Sequence, residues 1–317
     1  MVTPEFGTAP DGSAIQRIVI ERAGSRAALL TWGAAIQSFH IDPVPYSLVL
    51  GAGEAEPYFT DFRHYGAIAG RVANRIDGGR ATLEGRDLTL DLNEKTGRNM
   101  LHGGYHGSSV TNWTLDEADG ASCRMSLRMP DGQGGFPGTL DLTATYSLDA
   151  EGALVMVLEG RTDTPTFCNL ANHAYWTMDG SGDLSGHTLE VTAQTYLPVD
   201  EHLIPLGDPS PVAGTRFDFR EARALRLGDD GLIDHNFCLD PRGPGEAACI
   251  LRAGGLALAI ETTEPGLQVY DGKGTGLALE PQHWPDAPNQ PGYPSIVLMP
   301  GEKYRQETRF RVSRDGE

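Results

Sequence analysis

Hydrophobic and polar positions alternate with a period of two along much of the chain. Between Thr139 and Leu148, the residues Leu140, Leu142, Ala144, Tyr146 and Leu148 fall on one side, with Asp141, Thr143, Thr145 and Ser147 on the other. That is the spacing of a half-buried β-strand. Asp149-Ala150-Glu151-Gly152 then turns the chain into the apolar run Ala153 to Leu158, which predicts a hairpin. A second hairpin is expected between residues 80–83 and 87–92, across Glu84-Gly85-Arg86. Near the C-terminus, Tyr304, Gln306, Thr308, Phe310 and Val312 alternate with Arg305, Glu307, Arg309 and Arg311, a strand with one charged face. Further strands are expected at 15–20, 28–32, 47–50, 187–193 and 256–262, and one short helix at 221–225.

Composition sharpens this picture. Gly 40 and Pro 21 are spread so that no stretch free of both exceeds 14 residues, which leaves long helices almost nowhere to form. Bundles and coiled coils are excluded, and a doubly wound α/β fold is disfavoured. Many short strands punctuated by turns predict an all-β chain, a large antiparallel β-sandwich. No composition break divides it, so residues 1–317 read as a single domain. The longest apolar run, Ala153 to Leu158, falls well short of the roughly 18 residues that span a bilayer.

The net charge of −18 repels phosphate backbones and anionic membranes, so neither nucleic acid nor membrane is expected as a partner. Cys123, Cys168, Cys238 and Cys249 are sparse and lack a C-x-x-C spacing. With no basic-then-apolar segment in the first ten residues, the expectation is a cytoplasmic protein with free thiols and no signal peptide.

Five segments carry candidate chemistry. As a strand, Asn169 to Trp176 would put Asn169, Ala171, His173 and Tyr175 on one face, an amide, an imidazole and a phenol around a small residue. A satisfied core histidine accounts for His173 equally well. Asn99-Met100-Leu101-His102-Gly103-Gly104 sets a histidine beside paired glycines, where backbone can approach a ligand, although a plain turn fits too. His102 and His106 have a zinc-like spacing, but the intervening glycines argue against the helix such a site needs, so no metal is expected. Gly70-Arg71-Val72-Ala73-Asn74-Arg75-Ile76 combines Arg and Asn in a way that suits sugar hydroxyls, or ordinary ion pairs. Asp234-His235-Asn236-Phe237 clusters polar groups before a strand. Glu280, at the end of Leu277-Ala278-Leu279 and close to Trp284, could be held partly dry and tuned as a base. Gln268 and Tyr270 share a strand face and could line the same cleft.

Together these segments resemble the aldose 1-epimerase (galactose mutarotase) family. The likeness runs through Trp32-Gly33, residues 70–76, 101–104, 169–175, 195–204, 234–237 and 279–289, and ends in the Pro300-Gly301-Glu302 turn. It implies a β-sandwich with an open cleft, no metal and no organic cofactor, and interconversion of the α and β anomers of a free aldose such as galactose or glucose. Carried over by position, it implies Glu280 as general base, His173 as general acid and His102 as a second histidine near the ring oxygen. Asn74, Arg75, Tyr175, Asp234 and Gln268 match sugar-binding positions. The implied partner is a monosaccharide, and the chain is expected to be a monomer or homodimer. A non-catalytic carbohydrate-binding sandwich is the alternative reading.

Overall fold

The computed structural model describes residues 2–225, 231–272 and 274–314. Antiparallel pairing follows the sequence alternation closely. A nine-stranded sheet runs, in spatial order, Thr114–Ala118, Ser122–Met129, Leu140–Leu148, Leu154–Thr162, Tyr304–Arg314, Leu256–Thr262, Cys249–Ala253, Thr188–Val191 and Arg223–Ala224. A six-stranded sheet is ordered Tyr175–Trp176, Leu277–Gln282, Gly266–Tyr270, Asp234–Cys238, Thr195–Tyr196 and Ser210–Pro211. Four strands between Val2 and Ile41 form a third sheet. Among the described residues the helical segments are all short 3₁₀ turns.

The core forms where inward-facing rows meet. Leu140, Leu142, Ala144, Tyr146 and Leu148 pack in one apolar cluster with Phe237, Leu267, Val269, Leu277 and Leu279 of the six-stranded sheet. Period two then settles the rest of that sheet. If Leu277 and Leu279 point inward, Ala278, Glu280 and Gln282 point outward. By the same rule Asp234 and Asn236 face outward on their strand, and Gln268 and Tyr270 on theirs. The register pairs Gln268 with Glu280 and Asp234 with Tyr270, so the outer face holds a compact polar row.

Several expected elements shift. The hairpin arm at 87–92 pairs only over Arg86–Thr89, and residues 47–50 make a single bridge, Val49 with Trp176. The expected helix at 221–225 is absent: Arg223–Ala224 pairs with Thr188 and Leu189 as an edge strand of the large sheet. Five residues carry too weak a helical preference to resist that pairing.

Arg71 shows how a polar motif can be structural. Its side chain is fully buried, and its guanidinium donates to the carbonyls of Pro137 and Gly138 at 2.9 Å and to Thr166 Oγ1 at 3.1 Å. Longer bonds of 3.3 Å reach the carbonyls of Met129 and Pro130. One cation thus ties the 129–138 loop to the segment that enters the site. Arg71→Met leaves these buried oxygen acceptors without their donor and is expected to cost about 1–3 kcal/mol, the range for stranding a buried polar group. Urea unfolding checks this, and a loss below about 1 kcal/mol would contradict it.

Candidate active site

The outer face of the six-stranded sheet supplies the floor of the site. Glu280 is only 2% exposed, and its Oε1 lies 3.6 Å from Nε2 of His173. Burial pushes the Glu280 carboxyl well above the ordinary range; Asp234 adds to this and Arg75 opposes it. A carboxyl tuned in this direction holds a proton more tightly and is therefore the stronger base.

His173 reaches the floor from a broken strand. Residues 169–176 do not run as one strand: Ala171–Asn172 pairs with Ile68–Ala69, while Tyr175–Trp176 pairs with Leu277–Ala278. The break falls at His173 and Ala174, and Asn172 fixes it by donating to the Gly66 carbonyl at 2.6 Å and accepting from the Ala174 N–H at 3.1 Å. His173 is 6% exposed and buried beside Tyr175, with ring centroids 5.1 Å apart. Asn169 is not brought in: its amide exchanges hydrogen bonds with the backbone of His283.

His102 stands 5.3 Å from His173, ring to ring. Its Nδ1 accepts the backbone N–H of Asn74 at 3.2 Å, which places the ring proton on Nε2. Protonating Nδ1 as well would set two donors against each other. Burial, reinforced by His64, His173 and Arg75, drives the His102 pKa well down. His102 is therefore a neutral hydrogen-bond donor. The neighbouring Gly103 is required, because a Cβ there would lie 2.0 Å from the Gly70 carbonyl oxygen. His106 does not join it but lines a separate depression with Trp32, so the zinc-like spacing does not become a shared site.

Asn74 and Arg75 sit where the chain turns, Asn74 at a φ of +60°. Asn74 Oδ1 accepts the Arg75 N–H at 2.8 Å. The Arg75 guanidinium is held by Glu94 at 2.7 Å and reaches Asp234 at 3.5 Å. Asp234 Oδ1 in turn accepts from Gln268 Nε2 at 2.6 Å. Burial raises the Asp234 pKa, while Arg75 and Gln268 pull it back. Tyr175 stacks on Tyr65 at 4.1 Å, and burial, with Glu280 nearby, raises its phenol pKa. Its ring forms an apolar wall beside the charged floor.

His235 faces the other way. It packs against Phe217 at 4.3 Å, and burial lowers its pKa to about 4, so this imidazole is a neutral core residue.

The eight positions expected from the sequence thus occupy one connected region: Glu280, His173 and His102 in its centre, with Asn74, Arg75, Tyr175, Asp234 and Gln268 around them. Sequence reading missed His64, Tyr65 and Glu94. The His64 ring lies 4.9 Å from His102 and 6.2 Å from His173, and its Nδ1 meets Ser109 Oγ at 3.0 Å. These residues come from loops without periodicity; the Asp61-Phe62-Arg63-His64-Tyr65 run just before residues 70–76 was the only available signal.

A family model described as aldose 1-epimerase matches residues 16–311. The galactose mutarotases of Rattus norvegicus and Homo sapiens are 35% and 36% identical, each alignment covering 97% of both chains. The aldose 1-epimerase of Escherichia coli (strain K12) is 35% identical over 96% of each chain. Among solved structures, a GalM/aldose epimerase homologue from C. elegans superposes with a TM-score of 0.90 at 29% identity, covering 95% of this chain and 99% of that one. A galactose 1-epimerase from Lactobacillus acidophilus NCFM gives 0.87 at 28% identity, covering 99% and 98%.

Proposed function

The chain belongs to the aldose 1-epimerase family, and from that premise we propose how its residues divide the work of anomer exchange. It is an isomerase that interconverts the α and β anomers of a free aldose. Ring opening needs one proton removed from the anomeric O1 and one delivered to the ring O5, with cleavage of the C1–O5 bond. Both oxygens are bonded to C1, so base and acid must stand close together. The 3.6 Å separation of His173 and Glu280 is the observation that carries the assignment.

Glu280, as carboxylate, takes the O1 proton while His173, as imidazolium, gives its Nε2 proton to O5. The aldehyde rotates about C1–C2 and recloses on its other face, with His173 taking the proton back and Glu280 returning one to O1. The pair ends as it began, and no bond to the protein forms. His102 donates its Nε2–H toward the ring oxygen side without giving up the proton. Asp234, held by Gln268 and Arg75, accepts sugar hydroxyls; Asn74 and Arg75 donate to them, and Tyr175 packs against the ring. We take galactose or glucose as the substrate and residues 1–317 as one domain. The four cysteines are unpaired and buried, which supports a reducing, cytoplasmic setting. Every assigned residue comes from one chain, so a monomer or a homodimer serves equally.

Polarimetry with freshly dissolved α-galactose and α-glucose tests the reading: accelerated decay of rotation supports it, and sugar binding without acceleration favours a non-catalytic module. The pH dependence has a defined sign. Glu280 acts only when deprotonated, and its proton affinity is raised, so kcat/KM should decline with acidification at a pH above the ordinary Glu value of about 4.3. Asp234→Asn removes a negative neighbour that raises it, so the acid limb should move to lower pH while KM increases. A limb that stays in place or moves up would contradict this electrostatic coupling.

A further inference from the structure

Arg75 stands between two carboxylates and is shared unequally. Its Nε donates to Glu94 Oε1 at 2.7 Å, whereas its Nη1 stops 3.5 Å from Asp234 Oδ2. The first distance is that of a strong charge-assisted bond, and the second lies at the outer edge of hydrogen bonding. Asp234 has one oxygen already committed, since Oδ1 accepts from Gln268. Oδ2 is therefore the acceptor left for a sugar hydroxyl, and the guanidinium competes for it.

Glu94 is presented by a loop built to hold it still. Asn93 clips that loop to Leu101, donating through Nδ2 to the Leu101 carbonyl at 2.9 Å and accepting the Leu101 N–H at 2.8 Å. Glu94 Oε2 accepts from Asn99 Nδ2 at 3.0 Å and from Thr96 Oγ1 at 3.1 Å. Asn99 is fully buried, and its Oδ1 accepts the Gly78 N–H at 3.1 Å. Leu101 pairs with Arg75 across a two-residue ladder and directly precedes His102. The carboxylate that grips Arg75 thus comes from the segment that carries His102. Each of the two paired side chains is only 13% exposed, so solvent screens the bond little.

A guanidinium is a rigid fork, so fixing Nε fixes where the other N–H groups point. Without Glu94, the attraction of Asp234 would draw Arg75 in. A close pair would then fill both the acceptor and the donor that a sugar needs. We propose that Glu94 is a positioning residue for sugar binding, which restrains Arg75 so that Arg75 and Asp234 both stay open to the substrate. The inference rests on the site proposed above and extends it to a residue that acts through Arg75.

The test compares Glu94→Ala, Glu94→Gln, Arg75→Ala and the Arg75→Ala/Glu94→Ala double variant, reading galactose Kd by calorimetry beside KM and kcat by polarimetry. Glu94→Ala should weaken galactose binding about tenfold, the scale of one hydrogen bond to a charged group, with kcat changed far less. Glu94→Gln keeps an oxygen for Nε and should recover most of that affinity. In the Arg75→Ala background, Glu94→Ala should add nothing, because its effect passes through Arg75. The inference is overturned if Glu94→Ala binds galactose as the native protein does, or if it loses kcat instead. It is equally overturned if Glu94→Gln falls as far as Glu94→Ala, or if the double variant binds more weakly than Arg75→Ala. Galactose binding by the native protein without acceleration would overturn the catalytic reading and leave the Kd comparison to decide this one.

Discussion

Glu280→Gln is expected to abolish measurable turnover, a fall of about 10²–10⁴-fold in kcat, while galactose still binds with an affinity close to that of the native protein. The amide keeps the shape of the carboxyl and can still hydrogen-bond to a hydroxyl, but it cannot take the O1 proton. The fold should tolerate the change, because the native side chain is a carboxyl already disfavoured in its charged form by burial. Polarimetry beside calorimetric binding separates the two effects. A variant keeping a tenth or more of the native rate would show that another group is the base.

His173→Asn removes the group that protonates the ring oxygen, and a loss of similar size is expected, about 10²–10⁴-fold in kcat. The reason lies in the neighbouring histidine. His102 is held neutral by the Asn74 N–H on its Nδ1 and by its burial, so it cannot take over as acid. The loss should appear in kcat far more than in KM, since His102, Asp234 and Arg75 remain to hold the sugar. A large rise in KM with kcat preserved would instead make His173 a binding residue. Near-native activity would move the acid role to His102 or His64.

These expectations depend on features that differed in how plainly the sequence displayed them. The long strands, such as Leu140–Leu148 and Tyr304–Arg314, were legible because one face packs into the core and the other meets water or charge. The pieces that build the site are shorter. Ala171–Asn172 and Tyr175–Trp176 have two residues each and are paired to partners about a hundred residues away, so no local period marks them. Arg71 and Arg75 look equivalent in sequence, yet the first is buried in a cage of carbonyls and the second faces Asp234. What separates them is the positive φ at Asn74, which redirects the chain. The roles of His173 and Glu280 came from resemblance to a family, because nothing local says that two residues so far apart meet. The neutrality of His102 depends on its burial and on the Asn74 N–H at its Nδ1, and neither had a sequence signal.

Whether His173 and Glu280 act as one unit is tested most directly by comparing Glu280→Gln, His173→Asn and the double variant in the same polarimetric assay. If proton removal at O1 and proton delivery to O5 belong to one step, losing either disables the other, and the double variant should be about as slow as the slower single variant. Losses that multiply, so that the double variant is slower by the product of the two separate effects, would contradict a joint role.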